Sequence, residues 1–238
     1  MKPWLIIGLV TAVAAVAAVV TFQYLARPHE AAAAVPVVSI DVDSIRSKAE
    51  SGEAKAQAQL AGLYVKGEGV TNSYVEAAKW FRRAADQKNN EALLGLGELY
   101  EAGQGVPKDI SEAVKLYRQA AEQGSADGQY TLAFMYESGR GLRIDQSEAA
   151  KWFQRAAEQG QPLAQYDLGQ RYNLGVGVSV DRVEALKWLM LAAAQGQADA
   201  GDRGAQLKKE LTRDQVAEAK LRVTAFAKRA PEVSNEKR

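Results

Sequence analysis

Tyrosine occurs at Tyr64, Tyr100, Tyr136 and Tyr172, each 36 residues after the last, and a whole pattern moves with it. Gly67, Gly103, Gly139 and Gly175 keep the same step, as do Gly69, Gly105, Gly141 and Gly177, and Ala84, Ala120, Ala156 and Ala192. A chain that repeats in register at this length has no unlike parts from which to close a single core. Each copy must instead bury its apolar side on the next copy, which makes a solenoid.

Each copy has room for two short helices. In the second copy Ala92, Leu96, Gly97 and Tyr100 fall at the three-and-four spacing of an amphipathic helix. That helix is predicted to stop at the glycines. In the fourth copy Gly175-Val176-Gly177-Val178 offers two residues that take positive φ without a Cβ penalty. A second helix then opens on a capping-box spacing: Ser73 with Glu76, Asp109 with Glu112, Asp145 with Glu148, Asp181 with Glu184. The box predicts that the first residue accepts from a free helix N–H while the glutamate reaches back to the cap. Such a cap contributes about 1 kcal/mol, and the glutamate also favours the positive end of the helix dipole. Pro107, just ahead of Asp109, cannot extend the preceding helix.

Inside the second helix stand Trp80-Phe81, Leu116-Tyr117, Trp152-Phe153 and Trp188-Leu189, each followed by an Ala-Ala pair. The large residues are predicted to wedge into the grooves left by the alanines and by Gly97 or Gly169 of a neighbouring helix. The cap glutamates precede Lys79, Lys115, Lys151 and Lys187 by three residues. These pairs read as a solvated surface, adding a few tenths of a kcal/mol each.

The run Leu168-Gly169-x-x-Tyr172-x-x-Gly175-x-Gly177-Val178, then Ala185-x-x-Trp188-x-x-x-Ala192-Ala193-x-x-Gly196, resembles the Sel-one-like repeat (SLR) family, relatives of the tetratricopeptide repeats. The resemblance covers roughly residues 53 to 196. It implies an all-α fold, a right-handed α/α solenoid of helix-pair repeats, in a family whose members mostly act as adaptors in protein assemblies, often in bacterial envelopes. Departures are Ala61 and Lys88 where other copies have glycine, and Leu116 where they have tryptophan. On this pattern residues 44–52 are an N-terminal partial repeat, and 53–88, 89–124, 125–160 and 161–196 are repeats 1 to 4. Residues 197–230 are C-terminal capping helices, the last opened by Thr212 with Gln215 and striped by Val216, Ala219, Val223 and Phe226. Residues 231–238 form a flexible polar tail.

The N-terminus suggests where the solenoid lives. Trp4 to Leu25 is a run of 22 residues without a charge, which as a helix reaches about 33 Å, enough to cross a bilayer core. Residues 1–25 are therefore expected to be a transmembrane signal-anchor, and 26–43, with Pro28 and Pro36, an Ala/Pro linker. A cleaved signal peptide is the alternative. The apolar run is longer than such signals have, and the candidate site at Ala31 to Ala34 lies beyond Arg27, Pro28, His29 and Glu30. Trp4 and Tyr24 suit an interfacial aromatic belt, and Lys2 with the amino terminus against Arg27 gives a slight N-in bias. The expected location is the inner membrane, single-pass, with the repeats periplasmic; after cleavage it would be periplasmic or secreted.

Lys plus Arg is 30 against 29 for Asp plus Glu, which offers nothing for nucleic acid. There is no cysteine, so disulfides and thiolate metal sites are excluded. The single histidine, His29, falls in the linker, so no Ser-His-Asp or Cys-His site is supported. Lys-Thr-Gly, the phosphate-binding Gly-Lys-Ser/Thr loop and His-Glu-x-x-His are missing, and the one Ser-x-x-Lys, Ser234 to Lys237, falls in the polar tail with no Lys-Thr-Gly to accompany it. The Gly-x-Gly pairs follow a helix in every copy and read as turns rather than phosphate cradles. Glu98 and Glu101, one turn apart, read as surface charge rather than an acid and base. The expectation is a non-enzyme without cofactor or metal.

The solenoid still offers a place to bind. By analogy with tetratricopeptide repeats, first-helix positions beside the core stripe line the concave side. These are Ala58, Leu94, Tyr130 and Tyr166; Gly62, Glu98, Phe134 and Gln170; Val65, Glu101, Glu137 and Asn173. Tyr130, Phe134 and Tyr166 would form an aromatic ledge beside Glu98, Glu101 and Glu137, suited to a protein or peptide partner with apolar and basic side chains. The leading reading is thus a membrane-anchored SLR scaffold or adaptor in a bacterial envelope complex. The alternatives are a structural subunit of a motor, secretion or polymer-export assembly, and a cell-wall-active enzyme, which would need a polar pocket with a shifted pKa.

Overall fold

The computed structural model describes residues 41–235, and every regular element among them is an α-helix. In chain order these are α1 (Val42–Glu50), α2 (Ala54–Lys66), α3 (Tyr74–Asp86), α4 (Asn90–Ala102), α5 (Ile110–Glu122), α6 (Ala126–Ser138), α7 (Gln146–Glu158), α8 (Pro162–Leu174), α9 (Arg182–Ala194), α10 (Ala198–Glu210) and α11 (Arg213–Asn235). From α1 to α10 each helix packs on the next in sequence, which is the solenoid the repeats imply. No helix among the described residues is long and apolar enough to cross a membrane. The signal-anchor, most of the linker and the last three tail residues lie outside the described residues.

Each first helix ends on a glycine in the left-handed region, Gly67, Gly103, Gly139 and Gly175. The second glycine of the turn has a further duty. Gly105 (φ +69°) and Gly177 (φ +73°) lie so close to the preceding repeat that a Cβ would fall on the carbonyls of Tyr74 and Gln146, the first residues of α3 and α7. The turn then closes through the repeat tyrosine. The cap amides of Ser73, Asp109, Asp145 and Asp181 donate to the carbonyls of Tyr64, Tyr100, Tyr136 and Tyr172 at 3.0, 2.9, 3.0 and 2.9 Å.

That closure alters the capping box. The cap side chains do accept from the backbone N–H of Glu76, Glu112, Glu148 and Glu184. The glutamates do not reach back, because the tyrosine carbonyl already holds the amide they would take. They pair instead with Lys79, Lys115, Lys151 and Lys187. The first three pairs are largely in solvent and add little stability.

Packing of large on small is present, with a different partner from the one expected. A Cβ on Gly97 would meet the Tyr117 ring, and one on Gly169 would meet Leu189 at 2.9 Å. It is therefore the second residue of each bulky pair that fills the glycine groove. The tryptophans lie just outside, where the guanidinium groups of Arg83 and Arg155 cover the rings of Trp80 and Trp152 at 4.5 and 4.3 Å. A buried glutamine relay completes the seam. Gln57, Gln129 and Gln165 donate to the carbonyls of Ala49, Ala121 and Ala157, and accept from Gln87, Gln159 and Gln195 at 2.9, 2.7 and 2.8 Å. Copy two has the buried Leu93 at that place.

The C-terminal end departs from the repeat. Thr212 and Gln215 form a reciprocal box, but α11 packs on α9. Phe226 meets Trp188 edge-to-face at 5.3 Å, and Arg222 spans Glu184 at 3.0 Å and Asp181 at 3.5 Å. The helix continues past residue 230 to Asn235, so part of the expected tail is helical.

Trp152→Ala is expected to cost about 3 to 5 kcal/mol, read as a lowered urea midpoint. Gly177→Ala is expected to destabilise comparably, since no side chain can move aside for a Cβ that meets backbone.

Candidate functional site

One groove of about 460 Å³ is lined by residues of α2, α4 and the start of α6 together with Phe81 of α3. First helices of three successive copies contribute to it. Val65, Leu94 and Leu99 supply apolar surface, and Glu91, Glu98 and Asp127 set three carboxylates against the one ammonium of Lys66. The Glu98 carboxyl is held above its usual range, first by partial burial and then by the Glu101 charge, although most of the residue lies in solvent. Leu94 and Glu98 of the expected site thus meet in a single groove.

The other expected residues are placed differently. Phe134 stands out from the surface, 42 % exposed. Tyr130 and Tyr166 are half-buried: Tyr130 packs edge-to-face on Phe153 at 5.6 Å, and Tyr166 packs against the core around Leu186 and Leu189. Of the three aromatics, only Phe134 is open enough to act as a ledge. Gln170 lies apart from them in a smaller groove of about 190 Å³, with Asn173, Arg203 and Leu207.

Glu101 and Glu137 are committed within the fold. Glu101 accepts from the Tyr117 hydroxyl at 2.9 Å and pairs with Arg140 at 2.5 Å. Burial, then the charge of Glu101, pushes the Tyr117 phenol well above its ordinary pKa. Glu137 pairs with Arg171, whose guanidinium is buried, lies over the Phe153 ring at 4.8 Å, and donates to Gln146 Oε1 at 3.1 Å and the Val176 carbonyl at 3.3 Å.

Two residues here were not singled out from the sequence. Arg171 occupies the repeat position of Leu63, Leu99 and Met135, and a charge at an apolar position is a signal that a copy-by-copy comparison exposes. Asp167 follows Gln59, Gly95 and Thr131 at its position, a set without pattern. Its carboxyl is pushed up to about 6, chiefly by burial and then by Glu137, while the Tyr130 hydrogen bond and Arg171 pull it down. Burial, then Asp167, pushes the Tyr130 phenol up to about 12. The pair is one carboxyl that takes a proton in mildly acid solution beside a phenol that keeps its own. Such a pair couples protonation to packing and supplies no nucleophile. Among the described residues no group of His, Asp or Glu is placed to hold a metal ion.

A solenoid of helix hairpins with a groove across its first helices defines a class of repeat scaffold. The Sel1 repeat model matches residues 54–89, 90–125, 126–161 and 162–197, and the chain belongs to that family, whose members are typically protein-interaction scaffolds. A Sel1 repeat protein from Oxalobacter formigenes superposes with a TM-score of 0.66 at 36 % identity, over 70 % of this chain and 48 % of that one. A protective antigen of uropathogenic Escherichia coli with an SLR fold gives 0.64 at 42 % identity, over 68 % of this chain and 34 % of its own. The secretory immunoglobulin A-binding protein EsiB of Escherichia coli is 44 % identical over 46 residues, 19 % of this chain and 9 % of that protein. The chain thus spans about half or less of the solved relatives and a small part of the curated one.

The Asp167 shift fixes the direction of a pH effect. With a folded pKa raised from 3.8 to about 6, the protonated carboxyl favours the fold at low pH, and that contribution is lost as pH rises through the folded value. Asp167→Asn removes it. Melting temperatures of mutant and wild type should differ more in the mutant's favour at about pH 7 than at about pH 4; a constant difference would place Asp167 in free solvent.

Proposed function

We propose that this chain is a non-catalytic scaffold that holds a protein or peptide partner on its concave face, tethered to a bacterial inner membrane with the repeats in the periplasm. The observation that carries the reading is the groove across α2, α4 and α6, where apolar surface lies beside an excess of carboxylates. That chemistry suits a segment with apolar and basic side chains. The uncharged run from Trp4 to Leu25 supports the tether. If the segment were cleaved, the same scaffold would be periplasmic or secreted.

The family supports the scaffold role, and the groove supports a partner on the first-helix side. The 46 residues shared with EsiB amount to little more than one 36-residue copy, so that likeness carries the repeat pattern and not a ligand. A structural subunit would instead use a wide permanent face. The groove spans three copies and is bounded by charge, which fits a segment better than a wall.

A photo-crosslinker at Phe134 of the full chain, in cells, should give a discrete adduct of one mass, while the same group at the exposed Lys115 of α5 should not. Equal adducts from both positions, or from neither, would count against a concave partner. Protease added to intact spheroplasts should digest the repeats; protection there would reverse the topology.

A further inference from the structure

The groove across α2 and α4 exists because two copies depart from the repeat. Where Glu98, Phe134 and Gln170 stand in copies two to four, copy one has Gly62; where Gln59, Thr131 and Asp167 stand in the other copies, copy two has Gly95. Both glycines line the groove. Around Gly62 there is open space for a Cβ, whereas at Gly95 a Cβ would lie 2.5 Å from the tip of the Phe81 ring. Gly95 therefore opens the wall down to an aromatic ring, and Gly62 clears the space in front of it.

Beside Lys66, Gln104 and Ser125, four acceptors at this opening have no protein partner. Glu91, Glu98 and Asp127 are within ion-pair distance of no lysine or arginine among the described residues. The Asn90 side-chain oxygen, on the same wall, is buried without a hydrogen-bond partner among the described residues. All four are acceptors, while the one cation, Lys66, lies 4.0 Å from Glu68 of its own copy. A pocket rich in acceptors over an apolar floor calls for a donor that carries positive charge on an apolar stem.

We infer that the opening framed by Gly62 and Gly95 is a seat for one arginine side chain of an extended partner segment, with leucine-like neighbours resting on Val65 and Leu94. The inference rests on the concave-face reading above and assigns its specificity to the N-terminal half. Arginine fits better than lysine. Its planar fork has five donors for acceptors spread over two helices, and its weaker hydration lowers the cost of entry.

The test uses the full chain in mild detergent and fluorescein-labelled peptides with a single arginine between leucines, against the same peptides with glutamine in its place. The arginine peptide should bind at least about tenfold more tightly. Gly62→Gln, which adds a side chain into open space on a helix, and Glu98→Gln should each abolish that preference while the melting temperature holds or rises. Phe134→Ala, outside the seat, should leave the arginine-to-glutamine ratio unchanged. A ratio near one, or a preference that survives Gly62→Gln, would overturn the seat. Binding that lacks the preference but is lost in Phe134→Ala would overturn it while leaving the concave-face reading standing. Competition by free arginine amide as strong as that of the peptide would also overturn it, since the ligand would then be a small cation.

Discussion

Close approach of backbone to backbone at the second glycine of two turns fixes how neighbouring copies meet. At Gly105 and Gly177 the chain of one copy rests on the opening carbonyls of the second helix in the copy before, at a distance only a residue without a Cβ allows. The tyrosine carbonyl then takes the cap amide of the next helix, so turn and cap are one hydrogen-bonded assembly lying against the copy before. Because backbone meets backbone here, the spacing between copies does not depend on which side chains line the two faces. The concave face can therefore vary from copy to copy without altering the stack.

What the sequence displayed best was whatever every copy must repeat. Helix starts, helix stops, the large-on-small core and the lysine-glutamate pairs all recur at 36 residues and are visible as a pattern. Competition for a shared partner was not visible. The glutamates of Glu76, Glu112, Glu148 and Glu184 have the spacing to reach back, and only the fold reveals that the tyrosine carbonyl arrives first. The glutamine relay was legible in principle, since Gln57, Gln129 and Gln165 share a register, but polar residues on a mostly apolar helix draw the eye to its surface. The run of α11 along α9 has no counterpart in any copy, so no internal comparison could foretell it.

For the site, single-copy features were the hard part. The expected ledge treated Glu98, Glu101 and Glu137 as one acidic set, because they stand at neighbouring register positions. Their fates diverge through their neighbours: Tyr117 of the same copy and Arg140 of the next take Glu101, and Arg171 of the next copy takes Glu137. Glu98 has no such neighbour and remains available, next to Glu91 and Asp127. The acidic field is thus not spread along the solenoid but confined to its N-terminal half.

Arg171 explains why that division is sharp. At a position where the other copies bury Leu63, Leu99 and Met135, it brings a charge into the seam between copies three and four. Burying a cation there is costly unless acceptors surround it, and Glu137, Gln146 and the Val176 carbonyl do so. An arginine held this way adds little net stability over a leucine, so stability gives no reason for its presence. It does pair with the Glu137 carboxylate and ties α8 to the opening of α7, while Phe134 of α6 stays exposed. On the reading proposed above, a bound segment would meet carboxylates at Glu91, Glu98 and Asp127 and apolar surface at Phe134, an asymmetry that would orient it.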